Sequence, residues 1–385
     1  MENFEMTAKC LHGFESILAK ELRNLGAMNV SEGVRHVRFM GDLGFMYKAN
    51  LSLRTAVSVL KPILNFKIFK EQDFYQSVYE FPWEDFVDKN GSFAIDSTVN
   101  SDIFTHSRYV VFRAKDAIVD RFRDKFGTRP NIDTNEPDVR LNVHIDRNTC
   151  NLSLNTSGEP LFKRGYRKST NIAPLNEVLA ASLLLASGWD GQCDFLDPMC
   201  GSGTILIEAA MIACQIPANI NRENFAFMKW NNFNEDFFEK IKDSTLKKMR
   251  PFHFKIKGYD LSGVTLSKAQ ENIENANLTE FISVEQADFF TTEKLADRHL
   301  FMLFNPPYGE RLPVEVPRFY SSVGDTLKQN YPDTTAWFIV PLESGAIKHV
   351  GLRPSRKIKV FNASIESRLL RYDIYKGSKK AKYQN

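Results

Sequence analysis

At 385 residues, with a quarter of them charged and a formal net charge of only +3, the chain is too long for one compact core and too ordinary in composition for extensive disorder, so two or three folded domains are expected. So slight an excess of positive charge excludes a protein that meets a phosphate-rich partner with its whole surface; such a partner must be met by a local basic face. Five scattered cysteines without a C-x-x-C pair exclude a secreted disulfide framework and a cysteine zinc site, and no run approaches the ~20 apolar residues of a membrane span, so a cytoplasmic protein without membrane or metal is expected.

Residues 4–9 alternate as a strand, Leu11–Leu25 has helical spacing up to Gly26, and Val30 and Val34–Met40 mark two short strands. Strand, helix, strand, strand is how a ferredoxin-like α/β unit begins. A helix is expected over Leu43–Leu53, an extended run over Val57–Phe69 broken at Pro62, a helix over Glu71–Tyr79, a turn at Pro82 and a strand over Ser92–Val99. Arg108–Phe126 reads as a long helix with Val110, Val111, Ala114, Ala117, Ile118 and Phe122 on one face, ended by Gly127. Val139–Ile145 and Cys150–Asn155 make a hairpin turning at Asp146-Arg147-Asn148. Arg108, Arg113, Lys115, Arg121, Arg123, Lys125 and Arg129 are candidates to track phosphates, against the plain alternative of a solvated helix face. The basic linker Phe162–Lys168 poses the same choice, with Arg164, Tyr166, Arg167 and Lys168 placed to meet phosphates or to be ordinary loop residues.

Pro174–Ala186 is the next expected helix, its proline near the start. A short apolar strand, Cys193–Leu196, then ends in Asp197 and passes through Pro198, Cys200, Gly201 and Gly203 into the helical run from Thr204. A glycine turn between a buried parallel strand and a helix is where an open α/β sheet receives a nucleotide-like ligand, because only glycine lets the backbone pass so close. It lacks the third glycine of the dinucleotide fingerprint and the G-K-[ST] of the Walker loop. Cys200 has no histidine nearby in sequence, so small size at a tight turn explains it better than nucleophilic chemistry. After an aromatic, helical insertion at 216–251, the strand Phe254–Tyr259 ends at Asp260, whose carboxylate can accept both hydroxyls of a ribose. The helix Gly263–Ala276 and the strand Ile282–Gln286 lead to Asp288. His299–Phe304 is another buried strand and delivers Asn305-Pro306-Pro307-Tyr308, where two prolines stiffen the backbone so that the Asn305 side chain and the Pro306 carbonyl can face a substrate. The helix Val316–Gln329, the strand Thr334–Val340 and a hairpin of Lys357–Phe361 with Arg368–Tyr375 complete the pattern, ahead of a basic tail, Lys376–Asn385.

At these residues a family resemblance emerges. Asp197–Thr204 resembles the S-adenosylmethionine motif of class I methyltransferases, and Asn305–Tyr308 resembles the Asn-Pro-Pro-Tyr motif of those that methylate exocyclic amino groups of bases. The chain ahead of them resembles the ferredoxin-like and THUMP modules of RNA methyltransferases. Taken whole, it is similar to the rRNA guanine-N2 methyltransferases, the THUMP-bearing half of the fused RlmKL type. The resemblance implies an α/β chain with a ferredoxin-like region over residues 1–42, a THUMP RNA-binding domain over 43–160 and a Rossmann-like, seven-stranded methyltransferase domain over 161–385. It implies S-adenosylmethionine as cofactor, with Asp197, Pro198, Cys200, Gly201, Gly203, Thr204, Asp260, Asp288 and Asn305 around it, Asp288 facing the adenine amino group and Phe289 or a neighbour packing on the ring. Asn171, Asn176 and Glu177 lie where the family borders that pocket. It further implies RNA as partner, 23S rRNA or a large-subunit precursor, met by Arg113, Lys115, Arg164, Tyr166 and Arg167. The expected product is N2-methylguanosine, formed at a seat made by Asn305, Pro306 and Tyr308; adenine-N6 or tRNA guanine-N2 methylation by the same fold is the alternative.

Overall fold

The computed structural model describes residues 2–167, 175–307 and 315–376. The first unit comprises β1 (Phe4–Cys10), α1 (Glu15–Leu25), β2 (Met28–Glu32), β3 (His36–Gly41), α2 (Leu43–Ser52) and β4 (Ala56–Lys67). Helix α1 buries Leu18, Ala19 and Leu22 at helical spacing and stops at Gly26, whose φ of 102° suits a residue without Cβ. Its strands run β2-β3-β1-β4, all antiparallel, the ferredoxin-like order. That order needs α2 and β4, so the unit extends well past the boundary expected at residue 42. Pro62 does not break β4; the register shifts between Pro62 and Leu64, and the strand continues across this bulge.

Strand β4 also joins the next unit, made of α3 (Glu71–Glu80), β5 (Ser92–Asn100), α4 (Ser107–Phe126), β6 (Asn131–Ile132), β7 (Val139–Asp146) and β8 (Thr149–Asn155). Because β4 pairs with β1 on one side and β8 on the other, one eight-stranded sheet spans both units, in the order β2-β3-β1-β4-β8-β7-β5-β6. Helix α4 turns Val110, Ala114, Ala117, Ile118 and Phe122 into the core, as its apolar spacing requires. Its polar side locks to α3: Tyr75 and Tyr79 donate to Asp120 and Asp124 at 2.7 and 2.8 Å, and Arg121 grips both Glu84 oxygens. That grip holds the Glu84 carboxyl well below its usual range, the Arg121 hydrogen bonds being the main cause.

The last unit holds α5 (Glu177–Ser187), β9 (Asp194–Asp197), α6 (Thr204–Ala213), α7 (Glu235–Leu246), β10 (Ile256–Asp260), α8 (Gly263–Asn275), β11 (Ile282–Gln286), β12 (Leu300–Phe304), α9 (Val316–Asn330), β13 (Thr334–Pro341), β14 (Arg356–Asn362) and β15 (Ile365–Ile374). Its sheet runs β11-β10-β9-β12-β13-β15-β14, parallel except for the closing β15. This is an open, Rossmann-like sheet of the kind the sequence resemblance implies. Its two apolar layers lie on opposite faces, one built around α5 and α6, the other around Tyr320, Leu327 and Phe338. The helix expected from Pro174 starts at Glu177, because Asn176 caps it by accepting from Leu179 N at 3.1 Å; Pro174 lies outside the described residues.

The insertion between α6 and β10 turns away from its own sheet. Phe225, Phe227 and Phe238 join the core of the first unit, and the Tyr47 ring on α2 stacks on Phe227 at 4.6 Å. Gly44 lets α2 come that close, since a Cβ there would lie 2.8 Å from the tip of Phe237.

A buried arginine completes the junction. Arg164 and Glu208 are both fully enclosed, 3.2 Å apart. The Arg164 guanidinium also donates to the carbonyls of Leu161 (2.9 Å) and Arg54 (2.6 Å) and to Asn219 Oδ1 (3.1 Å). Asn219 in turn donates to the Asn50 carbonyl at 2.7 Å. Linker, first unit, insertion and α6 therefore meet at one side chain. Arg164→Met is expected to lower stability by about 3–5 kcal/mol, because it strands a buried carboxylate and several carbonyls. Adding Glu208→Leu to that variant should recover part of the loss in thermal unfolding. A loss below about 1 kcal/mol, as for a surface pair, would show that the junction does not depend on Arg164.

Candidate active site

Strand β9 sits between β10 and β12, paired through Asp197↔Gly258 and Leu196↔Met302, so the three carboxyl ends emerge side by side. The connection leaving β9 runs to β10 on one side and the connection leaving β12 runs to β13 on the other, which opens a crevice at the strand tips. The glycine turn fills its near side. Gly201 and Gly203 have φ of 56° and 82°, a backbone region open to glycine. A Cβ on Gly201 would meet nothing within 4 Å among the described residues, whereas one on Gly203 would touch Ala269 of α8 at 3.4 Å. One glycine thus borders open space and the other permits close packing.

The turn is braced from β10. Asp260 accepts from Gly201 N through one oxygen (3.0 Å) and from Ser262 N through the other (2.9 Å). Cys200 N donates to the Tyr259 carbonyl at 2.8 Å, and Asn272 of α8 donates to the Ser202 carbonyl at 3.1 Å. Gly258 leaves room for the helix behind: a Cβ there would lie 2.4 Å from Leu206. Helix α6 begins at Thr204, so its unpaired N–H groups and positive dipole end face the crevice.

Asp197 is 1% exposed and accepts from Met199 N at 3.1 Å. Burial drives its carboxyl well above the usual range; the Met199 bond opposes this and neighbouring Asp260 adds to it. Burial likewise raises the Cys200 thiol far beyond its ordinary value, with Asp197 and Asp260 reinforcing it, so no thiolate is available there. Pro198 continues the turn from Asp197.

On the far side, β12 delivers Asn305. Its Oδ1 is buried and has no hydrogen-bond partner among the described residues. A buried amide oxygen without a donor is costly unless a ligand supplies one. Pro306 beside it is buried, while Tyr308 lies outside the described residues, as do Lys168 and Asn171. Asp288 is half-buried and caps the turn after β11, accepting from Phe290 N at 3.0 Å. Phe289 is not free to pack on a ligand ring: it is buried against Phe304 and Tyr331. Leu261, directly after Asp260, is 67% exposed and offers an apolar surface at the crevice.

Expected RNA contacts fare unevenly. Arg164 and Tyr166 are each 1% exposed and both reach Glu208, so neither can touch a phosphate. This corrects the surface reading of the linker. Glu208 was the missed partner. Arg167 is also drawn inward: it donates to Thr204 Oγ1 at 2.7 Å and to the Leu175 carbonyl at 3.2 Å, and its Nε lies 2.8 Å from Glu177. Arg113 lies over the Tyr75 ring at 4.6 Å; Lys115 stays near the surface, beside Asp116. A cavity of about 870 Å³ runs between the second unit, the linker and the insertion, bordered by Arg140, Lys163, Arg167, Glu177 and Lys229. Gly201, Asp260 and Asn305 do not line it. Among the described residues no cluster of His, Cys, Asp or Glu could hold a metal ion, and no helix is long and apolar enough to cross a membrane.

Comparison with known proteins agrees with this layout. Residues 164–371 match the RMKL-like methyltransferase domain, 70–155 the THUMP domain and 5–60 the RlmL ferredoxin-like domain. A ribosomal RNA large subunit methyltransferase K/L from Cellvibrio japonicus is 36% identical over 95% of this chain, which spans only 51% of that relative. The chain thus covers about half the length of the K/L relatives it matches. It spans 96% of slr0064 from Synechocystis, a protein named as an RNA methyltransferase, at 33% identity. Among solved structures, SMU.472, a methyltransferase by its description and complexed with SAH, superposes with a TM-score of 0.86 at 26% identity, covering 98% of this chain and 100% of that one.

Asp197 sets a pH dependence. With its carboxyl raised in the folded protein, the ligand-free fold is favoured while the group is protonated and loses stability as pH rises above about 4, the unfolded value. Ligand-free Asp197→Asn keeps an acceptor for Met199 N but carries no charge. It should melt above the parent at about pH 8, with the gap closing towards pH 4. Scanning fluorimetry showing the parent more stable at the higher pH would mean that the buried carboxylate is compensated.

Proposed function

The chain belongs to the RMKL-like methyltransferase family, and on that premise we propose that it transfers a methyl group from S-adenosylmethionine to the exocyclic amino group of a guanine in RNA, most closely the 23S rRNA of the large subunit. The observation that carries this reading is the buried Oδ1 of Asn305, without a hydrogen-bond partner among the described residues, at a strand tip next to the glycine turn.

The crevice suits the cofactor. Gly201 borders open space and Leu261 is exposed; in this reading the Asp260 carboxylate at the tip of β10 accepts the ribose hydroxyls and Leu261 packs on the adenine ring. In this reading Asp288 meets the adenine amino group, and a cationic amine bound at the turn would favour the ionised form of Asp197. S-adenosylmethionine supplies a methyl group that is already activated, so no metal or covalent side chain is required for the transfer.

The protein's task is then to seat the acceptor. A guanine amino nitrogen shares its lone pair with the ring and is a weak nucleophile. Asn305 Oδ1 and the Pro306 carbonyl can accept its two N–H groups, which favours charge on nitrogen during attack and fixes the direction of approach. Asn305 is neutral and is no general base; the proton leaves to water after transfer. The target base must be out of its helix to reach such a seat, at a cost of a few kcal/mol, which makes RNA structure part of substrate choice.

Asn305→Ala should reduce methyl transfer by about 10²–10³-fold, the loss typical of one such acceptor or donor, while calorimetry finds cofactor affinity nearly unchanged. Equal losses in both would remove Asn305 from the acceptor seat. Asp260→Ala is expected to weaken cofactor binding first; unaltered affinity would take it out of the pocket. The substrate is tested by incubating labelled cofactor with protein-free rRNA, assembled subunits and tRNA in parallel, then identifying the methylated nucleoside by mass spectrometry. N6-methyladenosine as product would overturn the guanine assignment, and transfer to tRNA alone would overturn the rRNA one.

A further inference from the structure

One corner of the second unit exposes three aromatic rings. Phe112 on α4 is 48% exposed, Tyr109 one turn earlier is 42% exposed, and Phe69, just ahead of α3, is 75% exposed. Tyr109 donates to Glu71 at 2.8 Å, and Glu71 opens α3 two residues after Phe69, so the three rings share one end of the helix pair. Cations flank them. The Arg108 guanidinium lies 6.0 Å from the centre of the Phe112 ring, and the Lys115 ammonium, also paired with Asp116, lies 5.8 Å from it.

Further along the same helices, rings and charges are consumed by one another. Tyr75 and Tyr79 bond to Asp120 and Asp124, Arg113 covers Tyr75, and Arg121 is held by Glu84. A single exposed apolar residue is ordinary on a protein surface. Three rings at one corner with cations against one of them are a different composition. A π-face beside a cation suits a nucleobase with its phosphate, whereas an apolar protein partner would leave Arg108, which has no ion-pair partner among the described residues, desolvated without a counter-charge. Bases paired inside a duplex keep their faces stacked on each other, so these rings could reach only unpaired ones.

We propose that Phe69, Tyr109 and Phe112 form a stacking platform for unpaired nucleotides of the RNA, with Arg108 and Lys115 neutralising the adjoining phosphates. This rests on the RNA reading above but concerns a surface apart from the catalytic crevice. The full-length protein is titrated into a fluorescein-labelled single-stranded oligoribonucleotide and, separately, into a duplex RNA of the same length. Phe112→Ala should weaken single-strand binding by about 5- to 150-fold, the range for losing one base stack. Phe112→Trp should restore it, and duplex binding should change little in either variant. Arg108→Ala should weaken binding at low salt and flatten its salt dependence. Because these side chains are exposed, thermal unfolding should not shift.

Single-strand affinity unmoved by both Phe69→Ala and Phe112→Ala would overturn the platform. So would full binding by Phe112→Leu, which points to a generic apolar contact such as a protein partner, or equal losses on the duplex, which point to phosphate contact alone. Failure of the parent to bind the single strand would also overturn it. The catalytic reading is checked separately, by cofactor-dependent methyl transfer with the unsubstituted protein, and transfer there leaves that reading standing whatever the platform variants do.

Discussion

A single enclosed ion pair, Arg164 with Glu208, determines how the halves of this molecule meet. Removing two charges from water is expensive, and their mutual attraction offsets that only when the remaining donors and acceptors are satisfied. Here they are. The guanidinium distributes its other protons over the Leu161 and Arg54 carbonyls and Asn219, and Tyr166 adds a hydroxyl to Glu208. Arg54 supports the arrangement from below, donating to the carbonyls of Met211 and Ile216 while its own N–H and that of Thr55 bond to Glu21. Such a network needs the first unit, the linker, the insertion and α6 to be present together, so it specifies their arrangement more than it adds net stability.

The pair also accounts for the uneven legibility of the sequence. The glycine turn, Asp260 and Asn305 could be read from the chain because each is a local signal: a special backbone conformation or a polar residue at the end of an apolar strand. Most strands and helices were legible for the same reason, since their periodicity is carried by neighbouring residues. The linker at 162–168 was not, because a run of basic residues is normally solvated, and its true partner lies over forty positions away. A clue did exist. Glu208 is the one charged residue of Thr204–Ala213, a helix buried on every side, and a lone carboxylate in such a helix requires a cation from elsewhere.

The insertion at 216–251 shows a related limit. Its phenylalanines were visible, but their destination was not, since nothing in the spacing of Phe225, Phe227 and Phe238 says that they belong to the core around Tyr47 on α2. The extent of the first unit was hidden for a topological reason. A strand as long as β4 can end one sheet and begin another, and only its pairing with both β1 and β8 shows that it does both.

Helix α6 joins the linker to the glycine turn. Its first residue, Thr204, closes the glycine turn and accepts from Arg167; one turn later Glu208 accepts from Arg164 and Tyr166. Two successive turns of α6 are therefore held by three residues, Arg164, Tyr166 and Arg167, of the linker that arrives from the sheet of the first two units. A displacement of that linker would move the N–H groups at the head of α6 and the Gly201 backbone that Asp260 braces. The modules ahead of the methyltransferase sheet thus share a mechanical boundary with the glycine turn itself, through the same few side chains.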